Sequence, residues 1–129
     1  MIYVHPILGA VSVGLLVWIG LQGLRARHPK AYAIDARARH RRWVYLIYAG
    51  ILGSLATGML STAWLRDDLD FAGSPHFWIG CATAGTLGLN WAVWQLSDPV
   101  RAALLHRWIG LLALMMATLQ AALGLGLLP

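Results

Sequence analysis

The chain contains no glutamate, a single cysteine, and only 12% charged residues among its 129. Each scarcity excludes something. A charge fraction about half that of a soluble domain excludes an ordinary water-facing surface. One cysteine, Cys81, excludes an intrachain disulfide. Without glutamate, the cluster Asp67, Asp68 and Asp70 lacks both the terminal ligand and the glycine-centred loop of a calcium motif, and it reads as a solvated loop. No Ser-His-Asp constellation, phosphate-binding glycine loop or structural zinc spacing is present.

Hydrophobic residues make up 59% of the chain and gather into four runs, approximately 2–24, 43–64, 77–96 and 107–128. Each reaches or approaches the roughly 20 residues that a helix needs to cross about 30 Å of hydrocarbon. Arg107 marks the edge of the last run, and no run carries a charge in its interior. A charge there would cost on the order of 3 kcal/mol. The pattern predicts one domain over 1–129: an all-α, four-helix transmembrane bundle, threaded up-down-up-down.

The net charge of +5 is unevenly spread. Arg25, Arg27, Lys30, Arg37, Arg39, Arg41 and Arg42 lie between the first two runs, and Arg101 and Arg107 between the last two. The middle connection has Arg66 against its three aspartates. Short Lys/Arg-rich loops stay in the cytoplasm, which places both termini on the other side and the basic loop beside lipid headgroups. That explains the charge without nucleic acid. The first run lacks the basic leader and the cleavage site of a signal peptide.

Helix starts are readable. Ser74-Pro75 offers a capping hydroxyl before a proline, and Ser97-Asp98-Pro99 repeats the signal before a short lead into the fourth run. His28-Pro29 favours a break in the basic loop. Trp18, Trp43, Trp64, Trp78, Trp94 and Trp108 lie toward span ends, as an aromatic belt requires, and Trp91 lies deeper.

Histidine placement carries the chemistry. His5, His40, His76 and His106 stand at the beginnings of the four runs, whereas His28 lies in the loop. Four antiparallel spans bring His5 and His76 to one surface and His40 and His106 to the other. Two histidines from facing helices suit the two axial positions of a b-type haem. The segments His76-Phe-Trp-Ile-Gly80 and His106-Arg-Trp-Ile-Gly110 echo one another, and His5-Pro-Ile-Leu-Gly9 keeps the outer residues. Gly9, Gly80 and Gly110 lie one turn beyond a histidine on the same face, where lack of a side chain would admit a flat macrocycle or close helix packing. Val44 stands at that spacing after His40. Asn90, Gln95 and Gln120 suit interhelical hydrogen bonds, or the lining of a quinone or propionate site.

These residues resemble the core of the cytochrome b561 family. His106-Arg-Trp-Ile-Gly110 is similar to the opening of its fourth core helix. Closer still is the resemblance to small four-helix relatives of cyanobacteria and plastids, through His5-Pro6, Arg37-Ala-Arg-His40, Gly58-Met59 and Gly73-Ser-Pro-His76 with Gly80. The resemblance implies two non-covalent haem b groups in a bacterial inner or thylakoid membrane, their iron held by His5 with His76 and by His40 with His106. The chain has only the four-helix core, where ascorbate-linked b561 enzymes have six helices. The function expected is electron transfer across or within the bilayer, as a carrier or a quinol- or ascorbate-type oxidoreductase. Its partners would be a quinone or a redox protein. The alternative is a pigment-binding or structural subunit of a larger photosynthetic or respiratory complex, or a homo-oligomer.

Overall fold

A computed structural model of the protein describes residues 3–25, 32–65, 70 and 72–126. His28, Asp67 and Asp68 lie outside the described residues, and with them the expectations that fall on the basic loop's His28-Pro29 and on the acidic cluster. The fold is all-α. Four helices follow one another: α1 (Val4–Arg25), α2 (Tyr32–Leu65), α3 (Pro75–Leu96) and α4 (Pro99–Leu125).

The boundaries follow local chemistry. Proline occupies the first turn of α3 and of α4, where its missing N–H costs nothing. Between these helices Ser97 and Asp98 are extended, and the Asp98 carboxylate accepts the Val100 and Arg101 amides at 3.2 and 3.0 Å. Ser74 differs from the expected cap: it is extended at the right position, but its hydroxyl makes no capping hydrogen bond. The proline alone marks that start. Helices α2 and α4 begin well before their hydrophobic runs. The stretch Ala36 to Arg42 is rich in alanine and arginine, both strong helix formers, and Asp35 in the first turn complements the helix dipole.

Three helices are long and apolar enough to cross a membrane, over Val4–Arg25, Asp35–Trp64 and Pro99–Leu125. Helix α3 matches α1 in length at 22 residues but is diluted by Thr83, Thr86, Asn90, Gln95 and three glycines. The bundle is apolar outside and partly polar inside. Trp64, Trp78, Trp91, Trp94, Trp108 and many leucines are exposed, whereas Ser12, Gln22, Ser54, Thr83 and Asn90 are buried. Such a surface suits hydrocarbon and not water.

Packing divides the chain into two hairpins. Helix α1 lies mainly against α2, and α3 mainly against α4, while the hairpins meet more through α1 and α4 than through α2 and α3. In the first hairpin His5 reaches Ser54 and Gly58, and Gly23 reaches His40, so the helices run antiparallel. In the second, His76 reaches Gln120 and Gly124, and Gly110 reaches Asn90, with the same sense.

The hairpins repeat one plan. His5, Gly9, Ser12 and Ile19 of α1 correspond to His76, Gly80, Thr83 and Asn90 of α3 at a constant offset of 71 residues. Ala36, His40, Ile47, Ser54 and Gly58 of α2 correspond to Ala102, His106, Ala113, Gln120 and Gly124 of α4 at an offset of 66. Burial obeys the same correspondence. Ser12 and Thr83 are 3% and 1% exposed, Ile47 and Ala113 2% and 0%, and Ala36 and Ala102 1% and 2%. Ser12, Ile47, Thr83 and Ala113 are the buried residues midway along their four helices, with small or medium side chains that suit close helix packing.

Candidate functional site: two facing histidine pairs

The four histidines named from sequence come together as two pairs, and each pair takes one residue from each hairpin. The rings of His5 and His76 have centroids 5.8 Å apart with planes at 82°. Those of His40 and His106 are 5.7 Å apart at 81°. All four are half-buried. From His5 to the level of His40, beside Ile19, α1 rises through fourteen residues, or about 21 Å at 1.5 Å per residue.

Three of the four imidazoles are held by a hydrogen bond from the neighbouring helix of their own hairpin. His5 Nδ1–H donates to the Ser54 carbonyl at 2.7 Å, His40 Nδ1–H to that of Ile19 at 3.1 Å, and His76 Nδ1–H to that of Gln120 at 3.1 Å. With Nδ1 carrying the proton, the neutral ring keeps its lone pair on Nε2, the tautomer a metal needs. Each bond contributes about 1 kcal/mol and fixes ring orientation. The Ser54 hydroxyl adds a second contact to His5 Nδ1 at 3.3 Å.

A glycine stands one turn after each of these three carbonyls, where the ring passes. A Cβ on Gly58 would lie 2.8 Å from His5 Cε1, and one on Gly124 2.8 Å from His76 Cε1. On Gly23 it would meet His40 at 3.4 Å. The glycines singled out from sequence make room for something else. A Cβ on Gly9 would meet the Ser54 hydroxyl at 3.3 Å, on Gly80 the Gln120 amide at 2.5 Å, and on Gly110 the Asn90 amide at 3.3 Å. Gly9, Gly80 and Gly110 therefore admit polar side chains of the adjacent helix. Where the facing residue is the apolar Ile19, the equivalent position is Val44, which accounts for the gap in the glycine pattern.

The unit is thus a histidine, a carbonyl acceptor on the adjacent helix, and a glycine one turn after that acceptor. Sequence reasoning missed the acceptors, because a backbone carbonyl has no residue signature. It missed Gly23 and Gly124 as well, although the constant offset linking Gly58 to Gly124 was there to be read. Around His106 the acceptor position corresponds to Asn90, whose buried side-chain oxygen has no hydrogen-bond partner among the described residues. The glycine position there is Trp94, its indole 5.5 Å from the imidazole with planes at 57°.

A single metal ion between two imidazoles, with bonds of about 2 Å on each side, sets the ring centroids about 6 Å apart. The observed separations match that requirement. No group of three or more histidine, cysteine or acidic side chains suited to a metal occurs among the described residues. Gln95 is exposed. Arg41 and Arg42 line an open depression on α2 with Ala38 and Tyr45, at the end that carries His40. Comparison of the chain with protein-family models, curated proteins and solved structures found no match.

Proposed function

We propose that the protein is a b-type dihaem membrane cytochrome that carries electrons between the two faces of a bilayer. The observation that carries this reading is the pair of facing imidazoles at each end of the bundle, at a separation one metal ion would span, with Nδ1 of His5, His40 and His76 turned to backbone carbonyls. His5 and His76 would hold one haem, and His40 and His106 the other. When bound, haem would supply reversible one-electron chemistry. The chain's own residues do the rest. The carbonyls of Ser54, Ile19 and Gln120 hold the ligand tautomer.

All four helices cross the membrane in this reading, α3 included, its less apolar face turned into the bundle. The arginines of α2 mark the cytoplasmic side, where Arg41, Arg42 and Tyr45 meet headgroups, and both termini lie opposite. His40 and His106 form the inner centre, and His5 and His76 the outer. A quinol or a redox protein would exchange electrons at either face of a bacterial inner or thylakoid membrane.

A pyridine haemochrome assay on protein purified in detergent tests the reading. About two haems b per chain are expected from two ligand pairs. Absence of haem overturns it, and chlorophyll in the pigment extract would support an accessory subunit of a larger complex instead.

A further inference from the structure

The two-hairpin repeat supplies an internal control for every position around the ligands. At three histidines the residue one turn after the carbonyl acceptor is glycine: Gly58 for His5, Gly23 for His40 and Gly124 for His76. In each case the imidazole lies close against the helix backbone, in space a side chain would fill. The fourth position departs from the plan. Trp94 on α3 corresponds to Gly23 on α1 by the offset that relates His5 to His76 and Ser12 to Thr83.

This substitution changes what His106 touches. The Trp94 and His106 ring centroids are 5.5 Å apart and their planes are tilted by 57°. That falls within the range of favourable aromatic contacts. Trp94 is itself 56% exposed, so its indole meets both the imidazole and the surroundings of the bundle and lines the His106 site at its edge. At the corresponding place beside His40, Gly23 leaves the ring against helix backbone. The His40–His106 pair is therefore built unequally, while the His5–His76 pair is built on glycine from both sides.

We propose that Trp94 is a positioning residue that sets the orientation of His106, and so makes the inner centre electronically distinct from the outer one. The inference rests on the dihaem reading. Ring orientation and the dielectric beside a ligand are levers by which a protein tunes a bound metal. Trp94 supplies both at one ligand of four. A difference between two centres sets where an electron rests between them, and the clearest breach of the repeat among the described ligand surroundings lies at this residue.

The test uses the full chain in detergent, loaded with haem, and compares wild type with Trp94→Gly, Trp94→Leu and Trp94→Phe. The readouts are the two midpoint potentials from redox titration and the two low-spin iron signals from electron paramagnetic resonance. Trp94→Gly recreates the plan of the other three positions. It should move one potential and one signal toward those of the other centre and leave that other centre unchanged. Trp94→Leu keeps apolar bulk without a ring and should shift the same single signal, which preserves the test if the glycine variant folds poorly. Trp94→Phe should restore most of the wild-type signature. Wild-type and variant spectra that coincide overturn the proposal, as does an equal shift of both centres or a Phe variant no closer to wild type than Leu. Wild-type protein without haem overturns the functional reading and this inference together, whereas two haems indifferent to Trp94 overturn this inference alone.

Discussion

The His5 end and the His40 end of the bundle share one plan but are set at different depths. His5 and His76 are each the second residue of their helices, directly after Val4 and Pro75. His40 and His106 follow about two turns of helix, beginning at Tyr32 and Pro99, and the alanine one turn before each is almost fully buried. Ala36 and Ala102 show that the added turns pack and do not merely project. One pair sits at a rim, the other beneath a roof. The difference teaches that ligand geometry and ligand shelter are separable: the same carbonyl anchor works in both settings. Helix starts fray more readily than helix interiors, because the first amides lack intrahelical partners.

Four experiments would break or sharpen this contrast. The largest effect is expected from ligand removal: His76→Ala should take haem from about two per chain to about one while leaving the inner spectrum, and His106→Ala should do the mirror image. If either variant loses both haems, the ends are not independent. Blocking the clearance comes next. Gly58→Val or Gly124→Val puts a branched side chain where a Cβ alone would lie 2.8 Å from an imidazole carbon, and haemochrome assay should show at least half the outer haem lost. Gly23→Ala is the contrasting case. Its Cβ would meet His40 at 3.4 Å, an ordinary contact, and both haems should be retained. The smallest effect belongs to the roof. Asp98→Ala removes the side chain that caps α4, should cost about 1 kcal/mol, and should lower the melting temperature by a few degrees with haem content unchanged.

Much of this architecture was readable beforehand because hydrophobic runs and histidine placement are properties of residue type. Four helices and both pairs followed from them. What could not be read has physical reasons. The early start of α2 was hidden because arginine is a good helix former but lowers hydropathy, so Arg37 to Arg42 looked like loop. The Nδ1 anchors were invisible because their acceptors are backbone atoms. The segments starting at His76 and His106 look alike, yet constant spacing and burial make α1 the counterpart of α3 and α2 the counterpart of α4. Short identities beside a histidine were a poorer guide than constant spacing between small buried residues.

The division of each pair between hairpins also bears on how such a protein would be made. His5 and His40 emerge first, yet each waits for a partner from the second half of the chain. The outer pair waits longer than its ligands alone require, because the Gln120 carbonyl and Gly124 that seat His76 belong to α4. On the proposed reading neither haem can be captured with a complete setting by a nascent chain that has inserted only three helices. A truncated product would then expose unliganded imidazoles to the membrane, a plain mark by which quality control could tell an unfinished chain from a finished one.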